Sequence, residues 1–205
     1  GICLGNKSET MQKILDVACI EFGTNGFVNA STNQIAKNAL VSKGVIFKYF
    51  HQKHELYFQV VVQEMDKLIQ GLSLYMSSHE ENDVFDKIVD IILWKATYAK
   101  MYPFASALLL EAVSKPPSAI KDKMMEYFSK LSSHSIQLFF DQIPMDNIQE
   151  RFSKEDVQKM IGIAVNGLQA TYIKEGMTLE YLESIREESI DFLKTVLRGM
   201  EKSLW

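Results

Sequence analysis

Two serines place the strongest local constraint on this chain. Ser31 opens the run Ser31-Thr32-Asn33-Gln34, a hydroxyl residue followed three positions later by Gln, which is the pattern of a capping box. Ser42 is a second N-cap residue shortly afterwards. A helix opened at Ser31 must therefore end before another begins at Ser42, giving short helices over about 32–38 and 43–49. Between them Ala39-Leu40-Val41-Ser42 leaves a three- to four-residue turn, the length that joins the two helices of a helix-turn-helix. Ile35, Ala36, Val41 and Ile46 are the positions that would hold the two helices at a fixed angle, with Ala39 and Phe50 also facing inward.

Helical spacing continues on both sides of this unit. Met11, Ile14, Leu15, Ala18 and Phe22 recur at the period of an α-helix, with Gly23 or Gly26 as the stop. Beyond it, helices are expected over about 52–76, 82–100, 103–114, 118–143, 153–175 and 178–202, punctuated by Pro103, Pro116-Pro117, Pro144 and Gly176. No strand-like alternation of useful length and no repeat period interrupts them. The expected fold is all-α with about nine helices: an N-terminal helix-turn-helix domain over 1–50 and a helical bundle over 51–205.

Composition removes several classes. With 205 residues, 47% of them hydrophobic and 23% charged, the chain can bury a sizeable core and is neither fibrous nor natively disordered. Its longest apolar runs are about four residues, such as 91–94 and 107–110, far short of the 18 or so that a membrane span requires. Gly1-Ile2-Cys3-Leu4-Gly5 is too short and too uncharged for a secretory signal, and Cys3 and Cys19 stand in no metal-like spacing. A reducing cytoplasm is the expected location, with no membrane association.

The net charge of −4 conceals an asymmetry. Residues 1–53 carry a charge of +3 and residues 54–205 carry −7. From Phe22 to His54 there is no carboxylate at all, while Lys37, Lys43, Lys48 and Lys53 fall in that window. An acid-free, lysine-bearing window on an acidic protein is an electrostatic footprint suited to nucleic acid. On the second short helix the outward residues are Lys43, Gly44, Val45, Phe47, Lys48 and Tyr49, with Lys53 placed for a phosphate at the groove edge. Lysines suit phosphates and guanine edges, and glycine permits close approach to a base.

The run from Ser31 to Leu56 resembles the TetR-type transcriptional regulators. It has the hydroxyl cap, Ile35-Ala36, Val41-Ser42-Lys43-Gly44, an aromatic-rich helix ending in Tyr49-Phe50, and then Lys53-His54-Glu55-Leu56. Ala18, Phe22, Gly26 and Phe27 match the family upstream. The chain departs from the pattern at Leu40, where the family usually has Gly, and at Val45 and Phe47, where hydroxyl residues are common. Those departures shift the expected DNA contacts toward Thr32, Lys43, Lys48, Tyr49 and Lys53, with Val45 suited to a thymine methyl.

The resemblance implies a homodimer on a pseudo-palindromic double-stranded DNA operator, acting as a repressor that a small apolar or amphipathic effector releases. For the effector, Trp94, Tyr98, Met101 and Phe104 form one candidate wall, and His134 and Leu138 belong to a second stripe with Tyr127 and Leu131. For the dimer interface the apolar stripes of the last two helices supply Val157, Ile161, Ala164, Val165 and Leu168, then Tyr181, Ile185, Phe192 and Val196. The alternative for each stripe is plain intramolecular core, with His134 a satisfied histidine. Two other functions fit the sequence: a helical carrier of apolar molecules with a weak DNA-binding module, and a ligand-independent or activating regulator.

Catalysis finds no support in the sequence. There is no glycine-rich phosphate loop, Cys-x-x-Cys or nucleophile elbow. His51 and His54 lack the further ligands of a metal site, so no enzyme, metal or cofactor is expected.

Overall fold

The computed structural model describes residues 2–79, 83–172 and 178–202. Helices are the regular structure of the described residues, which hold no strand and one isolated β-bridge. The helices are α1 (Ile2–Asn29), α2 (Thr32–Ala39), α3 (Lys43–Phe50), α4 (Lys53–Ser77), α5 (Val84–Met101) and α6 (Pro103–Ser114), followed by a 3₁₀ turn over Ser118–Ile120. Then come α7 (Lys121–Phe140), α8 (Lys154–Tyr172), α9 (Leu179–Ser184) and α10 (Arg186–Arg198). They gather into two compact units, one of Gly1–Gly71 with Tyr98–Leu131 and the other of Leu72–Thr97 with Ser132–Trp205.

In the first unit α1, α2, α3 and α6 share a core with parts of α4 and α7. Ile14, Ala18 and Phe22 of α1 meet Ile35, Ile46, Leu56, Tyr57, Leu108 and Met124, all essentially sealed from solvent. The two candidate stop glycines have different roles. Gly23 remains helical, and a methyl group in place of its hydrogen would run into the Phe104 backbone, so its bareness lets α1 and α6 touch. Gly26 is where the helical path breaks, at φ 71° and ψ 170°, a conformation open to glycine and costly for other residues.

The second unit is built on α8 against α10, with Val84, Phe85 and Val89 of α5 closing the core. Its C-terminal segment is tied back by backbone bonds from Gln149 N–H to Met200 O at 2.9 Å and from Lys202 N–H to Asn147 O at 2.8 Å. The last helix expected from the sequence divides at Ile185, whose ψ of −4° leaves the helical range while its side chain is buried with Ala96 and Leu182. Asp83 caps α5 by accepting from the N–H groups of Phe85 at 2.8 Å and Asp86 at 3.0 Å.

Candidate nucleic-acid interface

Both serine caps form. Ser31 Oγ accepts from Gln34 N–H at 3.3 Å and Ser42 Oγ accepts from Val45 N–H at 3.4 Å. The return half of the capping box does not. Gln34 donates its side-chain amide to Asn38 Oδ1 at 3.0 Å, and the Ser31 N–H goes instead to Glu21 Oε1 at 2.9 Å. Glu21, the last carboxylate before the acid-free window, thus holds the start of α2 in place.

Between the caps, Leu40 adopts the left-handed conformation, φ 57° and ψ 40°, and its N–H closes α2 onto the carbonyls of Ala36 and Lys37. The turn therefore has the backbone that glycine would give it, imposed on a leucine whose side chain is 81% exposed. Ile35, Ala36 and Ala39 are buried on α2, as are Ile46 and Phe50 on α3, in agreement with the spacing.

The outward face of α3 is narrower than the sequence suggests. Lys43, Gly44 and Lys48 are exposed, and Phe47 is half-buried with the Lys43 ammonium 5.7 Å from its ring centre. Val45 and Tyr49, expected to face outward, pack partly against the core. They precede the buried Ile46 and Phe50 by one residue, about 100° round the helix, which puts them on the flank of the buried stripe. Thr32 sits half-buried at the first position of α2.

Lys53 has a different engagement from the one expected. Its ammonium donates to the Val28 carbonyl at 3.2 Å and lies 4.8 Å from the Phe27 ring centre. Burial lowers its pKa from the usual lysine value, opposed by the carboxylates of Glu21 and Glu111. No local pattern marks the partner beside it: Glu111 on α6 accepts from the Phe27 N–H, left outside the helical ladder at Gly26, and from the Tyr57 hydroxyl at 3.1 Å. Burial first, then the Glu111 charge, pushes the Tyr57 phenol well above its usual pKa.

The residues proposed from the sequence to line an effector pocket do not gather in one place. Trp94 lines a cavity of about 480 Å³ in the second unit, with Tyr75, His79, Asp90, Glu183 and Arg186. Tyr98 is buried in the first unit with its ring 4.7 Å from that of Tyr102, while Met101 and Phe104 are 66% and 44% exposed. The side chains of His134 and Leu138 lie outside the described residues. Tyr75, His79 and Glu183 were not singled out in the sequence, because nothing local distinguishes them from residues on any helix face.

Of the residues expected at a dimer interface, Val157, Ile161, Ala164, Leu168 and Ile185 are buried within the chain. Val165 and Val196 pack against the same core, whereas Tyr181 and Phe192 are 40% and 45% exposed. The outer face of α8 carries Met160, Ile163 at 62% exposure, and Gly167, beside which a methyl group would meet nothing within 4 Å. Among the described residues, no three His, Cys, Asp or Glu side chains converge as a metal set, and no helix is long and apolar enough to cross a membrane.

Residues 14–60 match the family described as bacterial regulatory proteins, tetR family. The chain is 21% identical over 168 residues to the nucleoid occlusion factor SlmA of Actinobacillus pleuropneumoniae serotype 5b (strain L20), covering 81% of this chain and 80% of that protein. It is 26% identical over 103 residues to the probable acrEF/envCD operon repressor of Escherichia coli K12, covering 49% and 46% respectively. A TetR-like transcriptional regulator from Rhodococcus sp. RHA1 shares the fold with a TM-score of 0.66 at 14% identity, covering 93% of this chain and 96% of that one.

Proposed function

We propose that this chain, a TetR-type DNA-binding transcriptional regulator, is a homodimeric cytoplasmic repressor, not an enzyme, released from its operator by a small organic effector. Residues 1–50 serve as the DNA-binding domain, and residues 51–205 as the effector-binding and dimerisation part. The observation that carries the reading is the exposed basic end of α3, where Lys43, Gly44 and Lys48 stand clear of a buried Ile46 and Phe50. Such a helix end suits the major groove, with lysines directed to phosphates and guanine edges. Phe47 adds apolar surface beside Lys43, and Thr32 and Tyr49 supply hydroxyls at the edge of the same face. Val45 is suited to a thymine methyl, and Lys53 reaches phosphate only by exchanging its hold on Val28.

The dimer is assigned to the outer faces of the last helices, through Met160, Ile163, Tyr181 and Phe192, since their buried neighbours are already used within the chain. The effector is assigned to the cavity beside Trp94. α4 begins at Lys53, just after α3, and ends near Tyr75 in the cavity wall, so one helix is available to report occupancy. A differential affinity of about 1–3 kcal/mol between the two positions of such an element is the usual scale of coupling.

Selection of genomic DNA fragments by the purified chain at about 0.15 M salt, where nonspecific attraction is screened, tests this reading. An enriched pseudo-palindrome with half-sites about one helical turn, 34–36 Å, or a multiple of that apart is expected. Absence of any enriched sequence from effector-stripped protein would contradict it.

A further inference from the structure

We propose that the cavity beside Trp94 takes a planar organic cation bearing N–H donors, of the aryl amidinium type, held against Tyr75 and Trp94 with its charge toward Glu183. This rests on the reading of the cavity as the effector site and names the ligand's class. The cavity's size, about 480 Å³, is that of a site for one small organic molecule.

Two aromatic rings stand in its walls, and several of its polar groups accept. The Tyr75 and Trp94 rings lie 6.4 Å apart, inclined at 37°, and Tyr75 stacks on His79 at 4.4 Å. The faces of such rings carry negative charge and attract flat cations. His79 Nδ1 stands 2.8 Å from the Tyr75 carbonyl oxygen and 2.9 Å from the Ser78 hydroxyl; with its hydrogen directed to the carbonyl, which can only accept, Nε2 of the neutral ring is an acceptor. Glu183, exposed at the cavity wall, adds a carboxylate.

The one cation among the described lining residues is already committed. Arg186 donates to Asp90 from Nε at 2.7 Å and from Nη2 at 3.1 Å, to Asp86 at 3.0 Å, and to Glu187 at 2.8 Å. Asp90 is 3% exposed, so drawing Arg186 away toward an anionic ligand would cost a buried carboxylate its two hydrogen bonds to the guanidinium. Three carboxylates thus share this guanidinium, with the Lys194 ammonium 3.9 Å from Asp86 as a further counter-charge, and Glu183 stands beyond them. Among the described residues carboxylates outnumber cations there, which disfavours an anion, while a cation meets Glu183 and the Tyr75 and Trp94 rings.

Two isosteres of opposite charge separate the possibilities. Titration calorimetry of the full chain without DNA, using 2-naphthamidine and 2-naphthoate, should show the amidinium binding at least tenfold more tightly. Glu183→Gln should weaken the amidinium about fivefold, the scale of one partly exposed charge pair, with unchanged helix content by circular dichroism. Equal or tighter binding of naphthoate, no binding of the amidinium, or indifference to Glu183→Gln would overturn the assignment. The effector reading is tested apart from it, by whether the bound amidinium lowers operator affinity. Binding without release would contradict the effector role and leave the ligand class standing.

Discussion

Both carboxylate oxygens of Glu111 lie within hydrogen-bond reach of the Phe27 backbone N–H, at 3.0 and 3.1 Å, joining α6 to the end of α1 where Gly26 breaks the helix. The same carboxylate accepts from Tyr57, a fully buried residue of α4. One acidic side chain thus satisfies two donors on two elements of the first unit. Glu111→Ala leaves the Phe27 N–H unpaired and the Tyr57 hydroxyl with only the Leu108 carbonyl at 3.5 Å, and is expected to cost about 2–3 kcal/mol of stability. Glu111→Gln keeps one acceptor and should cost about 1 kcal/mol. Urea denaturation of the three proteins checks the order, and an alanine variant as stable as the parent would remove Glu111 from this role.

Leu40 offers a prediction of the opposite sign. A left-handed backbone costs a leucine about 1–2 kcal/mol, and glycine recovers most of that while losing some through its freer unfolded state. The Leu40 side chain is 81% exposed and contributes little packing in return. Leu40→Gly is expected to stabilise the protein by about 0.5–1 kcal/mol, read as a rise in melting temperature. A lower melting temperature would mean that the turn does not hold Leu40 at positive φ.

The agreement between sequence and structure follows the range of the forces involved. The serine caps and the burial of Ile35, Ile46 and Phe50 depend on neighbours within one or two turns, so local spacing was enough to locate them. The partners of Phe27 and Arg186 lie far along the chain, at Glu111 and Asp90, and no local pattern links them. Gln34 had the right spacing to complete the capping box, but Glu21 reached the Ser31 N–H instead. Periodicity correctly marked Val157 and Ile161 as apolar face positions, yet a buried face reads identically whether it meets its own chain or a second copy. The cavity beside Trp94 is assembled from α4, α5 and residues 179–186, and of its lining residues local spacing marks only Trp94.

Asp83 carries a pH-dependent contribution in the second unit. Burial raises its carboxyl pKa, but the Lys194 ammonium at 2.7 Å and the N–H groups of Asp86 and Phe85 outweigh this and hold it at about 2, against an ordinary 3.8. Its folded value lies below its unfolded one, so the contribution is present above about pH 4 and is lost as pH falls toward 2. Asp83→Asn retains a capping side chain and removes the charge. Because Asp83 is half-exposed, the variant should lose no more than about 1 kcal/mol at pH 6. The difference should shrink below pH 4 and vanish only below about pH 2, as followed by denaturant titrations across that range. A deficit independent of pH would show that the ion pair is not its source.

On the proposed function, the exposed lysines of α3 hold DNA through its phosphates. The most direct measurement is the salt dependence of affinity for the selected operator, compared among the parent, Lys43→Ala and Lys48→Ala. Each lysine that neutralises one phosphate contributes about −0.9 to the slope of log affinity against log salt. Both variants should bind more weakly, with slopes shallower by about that amount. Slopes identical to the parent's would contradict the placement of α3 on DNA.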